Sequence, residues 1–180
     1  MDLLRRLGFG GSAPSAEESG DTETVRKIVR RLEALSPERA RYVAAFAYVL
    51  SRVAHADLEI TPDETRKMEE IVRRDGHLPE DQAVLVVEIA KAQSRLFGGT
   101  ENFLVTREFA GLAGREQRRE LLDCLFAVAA ADGGISSPEE AQIRQIASEL
   151  GFSHREYVEA RSAWSGHREV LRGLAGREEA

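Results

Sequence analysis

The chain has 180 residues, a formal net charge of -6, 42% hydrophobic residues and 31% charged ones. This length supports one domain with a substantial core, and the composition is that of an ordinary soluble globular chain. Lys and Arg are scattered among acids, which excludes a phosphate-neutralising surface, so no nucleic-acid partner is expected. The single cysteine, Cys124, excludes an internal disulfide framework or a cysteine-ligated zinc. No run of about 18 apolar residues exists to span a membrane, and a reducing cytoplasm is the expected compartment.

The first segment, Met1 to Phe9, is mildly amphipathic through Leu3, Leu4, Leu7 and Phe9. It is too short and too charged for a secretory core. It can fray, pack on the domain or associate weakly with a membrane surface. Gly10 to Asp21 reads as linker, giving a leader over 1–21, a folded domain over 22–172 and a frayed tail over 173–180.

From Thr22 onward the periodicity is helical. Val25, Ile28, Val29 and Leu32 form a first stripe. Ser36-Pro37-Glu38 starts a helix with a Ser cap and Pro in the first turn, carrying Val43, Phe46, Ala47, Leu50, Val53 and Ala54. Thr61-Pro62-Asp63-Glu64 has the capping-box pattern and precedes Met68, Ile71 and Val72, with Gly76 at a glycine stop. Pro79-Glu80-Asp81 opens a helix with Val84, Leu85, Val87, Ile89 and Ala90. Gly98-Gly99 ends it, and Thr100 can cap a helix holding Phe103, Leu104, Phe109 and Leu112. Gly114 precedes Leu121, Leu122, Leu125, Phe126 and Val128. Ser136-Ser137-Pro138-Glu139 starts the next helix, with Ile143, Ile146 and Leu150, stopped by Gly151. Ser153-His154-Arg155-Glu156 is a further capping box before Tyr157, Val158 and Trp164. With no strand-like alternation, the expectation is all-α: a single domain of about seven to eight helices.

The chain also repeats itself. Val53-Ala54-His55-Ala56-Asp57 through Glu64 recurs as Val128-Ala129-Ala130-Ala131-Asp132 through Glu139, gapless from Phe46/Leu121 to Gly76/Gly151. Each copy ends an apolar helix, places an Asp in the turn and starts a second helix with a Glu one turn in. Two pseudo-symmetric helical hairpins are therefore expected. The apolar matches are core positions.

The polar matches are Asp57/Asp132, Thr61/Ser136 and Glu64/Glu139. Thr61 and Ser136 read as caps, and Glu64 and Glu139 can close capping boxes. Asp57 and Asp132 follow the end of a helix, where the macrodipole disfavours an anion. Backbone N–H groups of the turn can offset that charge, and so can a bound cation. Asp132-Gly133-Gly134-Ile135 with Glu139 matches the second half of an EF-hand loop, but Val128 and Ala130 stand where oxygen ligands belong. A cation site therefore has to pool Asp57, Glu64, Asp132 and Glu139, as one shared site or two. Such all-oxygen donors suit Ca²⁺, with Mg²⁺ or Mn²⁺ as alternatives. His55 has no matched partner, Glu59 and Glu140 flank the site without serving as ligands, and Asp63 complements the dipole.

These motifs resemble the tellurite-resistance TerB-like family. The second copy resembles it from Leu125 to Tyr157. The first matches at Val53-Ala54-His55-Ala56-Asp57, and Phe103 to Phe109 and Arg115-Glu116-Gln117-Arg118 are similar too. The resemblance covers roughly Ala40 to Trp164 and extends to a domain of certain membrane-anchored DnaJ-like co-chaperones. It implies about seven helices, a divalent-metal site at Asp57, Glu64, Asp132 and Glu139, and a setting in tellurite resistance or stress response. Leu58 departs from the pattern where the second copy has Gly133.

The reading is a metal-binding interaction module with protein partners; the alternative is a metal-free helical adaptor whose acids only cap helices. An enzyme is not expected, because no nucleophile–His pairing, phosphate-cradling loop or HExxH stands out.

Overall fold

A computed structural model describes residues 18–54, 61–96, 102–131 and 133–168. Among them the chain forms eight α-helices and no named strand: α1 Glu18–Glu33, α2 Pro37–Ser51, α3 Pro62–Arg74, α4 Glu80–Leu96, α5 Asn102–Leu112, α6 Arg115–Ala129, α7 Ser137–Glu149 and α8 His154–Ser162. A short 3₁₀ turn, Ser165–His167, follows. Helix α1 begins inside the stretch read as linker.

The starts follow the local chemistry. Ser36 accepts from the Arg39 N–H, with Pro37 in the first turn. Thr61, Ser136 and Ser153 each head a complete capping box. Gly114 has no side chain to cap with, so α6 keeps half the motif: the Gln117 side-chain oxygen accepts from the Gly114 N–H at 2.9 Å.

Helix α2 is the centre of the fold. Every residue from Tyr42 to Ser51 is buried, as befits a helix surrounded on all sides. It packs most extensively on α4 and α5, and also meets α1 and α6. Helix α6 is its counterpart in the second copy, buried from Cys124 to Ala129 and packed on α3, α7 and α8. Each half has an aromatic knot. Phe109 of α5 lies 5.2 Å from Tyr42 and 6.0 Å from Phe46, and Phe126 stacks with Tyr157 at 6.1 Å and Trp164 at 6.4 Å. Burial pushes the Tyr42 hydroxyl up to about 12 and raises the Cys124 thiol well above its ordinary range, leaving that cysteine inert as a nucleophile.

Two local expectations change. Phe103 and Leu104 are 49% and 52% exposed; α5 turns Val105, Thr106 and Phe109 inward instead. Gly76 is not the left-handed stop, because the positive φ (50°) falls on His77. Gly76 is required for space: a Cβ there would stand 2.6 Å from the Val72 carbonyl oxygen and 2.9 Å from Phe46 Cζ.

Candidate functional site

The two acidic turns join α2 to α3 and α6 to α7. Asp57, with His55 and Glu59, and Asp132 lie outside the described residues, so the structure places Glu64 and Glu139. Each closes its capping box through one oxygen. Glu64 Oε2 accepts from the Thr61 N–H at 2.6 Å. Glu139 Oε2 accepts from the Ser136 N–H at 2.8 Å and its hydroxyl at 2.6 Å. The Thr61 backbone N–H, then its hydroxyl, hold the Glu64 carboxyl below its ordinary value. No hydrogen bond or ion pair among the described residues engages Oε1 of either Glu, so capping leaves one oxygen of each for a further contact.

The second turn is described on both sides of Asp132. Gly133 has φ +101°, a region that side-chain-bearing residues rarely adopt. Ile135 is buried, and its N–H donates to the His167 carbonyl at 2.6 Å. Glu140 fastens the same C-terminal segment. Its carboxylate accepts from Arg168 at 2.7 and 2.9 Å and from Arg161 at 2.9 Å. Burial raises the Glu140 carboxyl, but the two guanidinium groups outweigh that and hold it low. Glu140 is thus an anchor for the C-terminal segment.

Contacts between the copies come from residues that the sequence pattern does not single out. Lys67, one turn beyond Glu64 on α3, donates its ammonium to the Ala131 carbonyl at the end of α6. Its matched position, Gln142 on α7, reaches the other way. With its amide oxygen facing the guanidinium, it accepts from Arg52 Nε and Nη2 at 3.0 Å. Each capped helix therefore touches the end of the other copy's apolar helix, where orphan carbonyls and the dipole favour positive charge.

Arg52 caps the end of α2 and belongs to a buried polar cluster. It donates to Thr106 Oγ1 of α5 at 2.6 Å and to Glu149 Oε2 of α7 at 2.5 Å. The Arg52 and Glu149 side chains are 2% and 5% exposed, and Gln145 also donates to Glu149 at 2.9 Å. Burial raises the Glu149 carboxyl, yet the hydrogen bond and charge of Arg52 outweigh it and keep it below its ordinary value. The sequence signal was faint: one Arg inside the buried run that ends α2.

Cationic side chains thus stand at the two helix ends, Lys67 at that of α6 and Arg52 at that of α2. No group of three or more His, Cys, Asp or Glu able to hold a metal occurs among the described residues; Asp57 and Asp132 are outside that set. The Glu64 and Glu139 oxygens and the Ala131 carbonyl suit a hard divalent cation by donor type. Elsewhere, an open cleft of about 620 Å³ lies between Asp75, His77, Glu120 and Phe152. Its rim charges are cross-paired, as Arg115 with Glu156 and Arg119 with Asp123.

A family model described as Tellurite resistance protein TerB matches residues 42–162, which runs from within α2 to the end of α8 and includes both acidic turns. No curated protein and no solved structure matched the chain.

Proposed function

Because this chain belongs to the TerB tellurite-resistance family, we propose that it is a TerB-like interaction module that binds a divalent cation at its acidic turns. The cation would be drawn from Ca²⁺, Mg²⁺ and Mn²⁺, held by Asp57, Glu64, Asp132 and Glu139, and used in docking a protein partner during tellurite resistance or stress response. The observation that carries this reading is the Lys67 contact to Ala131. It ties α3, one turn beyond Glu64, to the end of α6 beside the second acidic turn, which supports pooling oxygens from both copies. Among the described residues nothing engages Oε1 of Glu64 or Glu139, so capping and ligation are compatible roles.

Calorimetric titration of chelator-treated protein with Ca²⁺, Mg²⁺ and Mn²⁺, beside the Asp57→Asn/Asp132→Asn variant, tests it. Saturable binding that the variant loses is the expected result. Silence from both folded proteins would return the carboxylates to capping alone.

The metal-free adaptor is the second reading, and the same contacts favour it in part. Capping boxes account for Glu64 and Glu139, and Lys67 already offsets the negative end of α6. We place the module in the cytoplasm; no described helix is long and apolar enough to cross a membrane. The weak membrane association proposed for residues 1–9 is checked by vesicle flotation of the full chain against one beginning at Ser12.

A further inference from the structure

Past α8 the chain turns back on itself. The 3₁₀ turn Ser165–His167 leads into Arg168, whose backbone is extended (φ -79°, ψ 119°) and pairs with Ile135 as an isolated parallel bridge. The seat of this strap has three parts. The Ile135 N–H donates to the His167 carbonyl at 2.6 Å. The Glu140 carboxylate takes the Arg168 guanidinium on both oxygens, at 2.7 and 2.9 Å. The Phe126 ring stacks with Trp164, at the root of the strap. A main-chain donor beside a carboxylate that receives a planar guanidinium is a common way for a folded domain to take up a peptide segment. All three parts of the seat lie inside the span matched by the family model, whereas the strap lies beyond its end at residue 162.

The strap can leave without stranding a charge. Ser165, Gly166 and His167 are exposed. Glu140 is held a second time by Arg161 at 2.9 Å, so withdrawal of Arg168 does not create the uncompensated buried charge that makes breaking an ion pair costly.

We propose that Ile135 and Glu140 form a docking site for an arginine-bearing segment of a partner protein, and that residues 165–168 are a self-supplied ligand that swings out when the partner enters. The site reads a carbonyl followed directly by an arginine, as in His167-Arg168. Tethering gives the strap a roughly millimolar effective concentration, so a partner must offer more than these two contacts to displace it. The proposal shares with the reading above only the role of an interaction module. It needs no cation and uses none of the four carboxylates, so its failure and that of the metal titration are separate results.

The test uses the full chain as wild type, Arg168→Ala and Arg168→Lys. The probe is a capped synthetic peptide copying Ser165 to Arg168, beside a control peptide with alanine in place of the arginine. Two signals read whether the strap is seated: amide exchange at Ile135, and the emission of Trp164, the single tryptophan, whose ring meets His167 at 5.6 Å. The Ile135 amide and Glu140 carboxyl NMR signals read the peptide. Arg168→Ala is expected to speed Ile135 exchange and to bind the probe about tenfold tighter than wild type, the weight of one charge-assisted contact. Arg168→Lys keeps the charge without the fork and should fall between them; it carries the comparison if Arg168→Ala does not fold. The control peptide should bind none of the three. Unchanged Ile135 exchange and Trp164 emission in the variants would show that Arg168 does not hold the strap, and the proposal falls. An opened strap with no response to the probe, or equal binding of the control, would reduce the contact to a structural clasp. A concentration-dependent dimer of the wild type that Arg168→Ala abolishes would assign the seat to a second copy of this chain and overturn the partner form.

Discussion

Removing the Glu149 carboxylate would break a buried ion pair and take an acceptor from the Arg52 guanidinium beside Thr106. Glu149→Ala is therefore expected to cost about 3–5 kcal/mol, whereas replacing both partners by apolar groups, Arg52→Met with Glu149→Leu, should cost less than the single change. Urea unfolding of the three proteins measures this. The same carboxyl has a pH consequence. Its folded pKa is depressed, so its contribution is full above the unfolded carboxylate value of about 4.3 and is lost as pH falls through the folded value. Glu149→Gln, which no longer titrates, should be less stable at neutral pH and lose less on acidification. Denaturant midpoints across a pH series would show a flatter acid limb. Glu156 offers a surface reporter: the Ser153 N–H, then the Ser153 hydroxyl and Arg115, hold it down to about 2. A carboxyl NMR titration should find it ionised well below ordinary glutamates.

At the scale of elements, the sequence was most legible where one local rule decides. Thr61, Ser136 and Ser153 with their third-residue glutamates announced capping boxes, and all three are formed. Ser136→Ala should cost about 0.5–2 kcal/mol, read as a lower melting temperature. Gly76 shows where a local rule misleads. A glycine past a helix suggests a left-handed stop, but here the constraint is close approach to the Val72 carbonyl and to the Phe46 ring of another helix, and no local pattern contains the second. Gly76→Ala should destabilise by about 1–3 kcal/mol through overpacking. Gly133→Ala should do so through backbone strain of about 1–3 kcal/mol, with open space around the new methyl group. Thermal melts give both losses; only Gly76→Ala should disturb the aromatic signals of Phe46. Phe103 and Leu104 mislead in another way, since apolar periodicity alone does not say which face of a short helix turns inward.

At the scale of the whole molecule, the all-helical class followed from the period of the apolar residues, and the recurrence of a buried helix before a capped one followed from the repeat. The reciprocal contacts did not. Lys67 to Ala131 and Gln142 to Arg52 join positions far apart in sequence, and nothing in either segment alone marks them as partners. Of the four carboxylates read as a site, two are placed, and both serve as caps while keeping an oxygen to spare. The C-terminal segment was invisible for the same reason, as Ile135, Glu140, His167 and Arg168 meet only once the helices have packed. Glu140→Gln should loosen that segment, and faster amide exchange at Ile135 would report it.

The burial of α2 from Tyr42 to Ser51 carries a consequence for how this chain can vary. A stretch of helix with no water-facing side offers no position where a charge is cheap to introduce. In a library of single substitutions selected for folding, these positions should form an unbroken block that rejects Asp, Lys and Pro alike. The amphipathic α3 should instead show tolerant positions recurring with the helical turn. Divergence among related chains would then be written on the outer helices, and any partner that distinguishes them must read those.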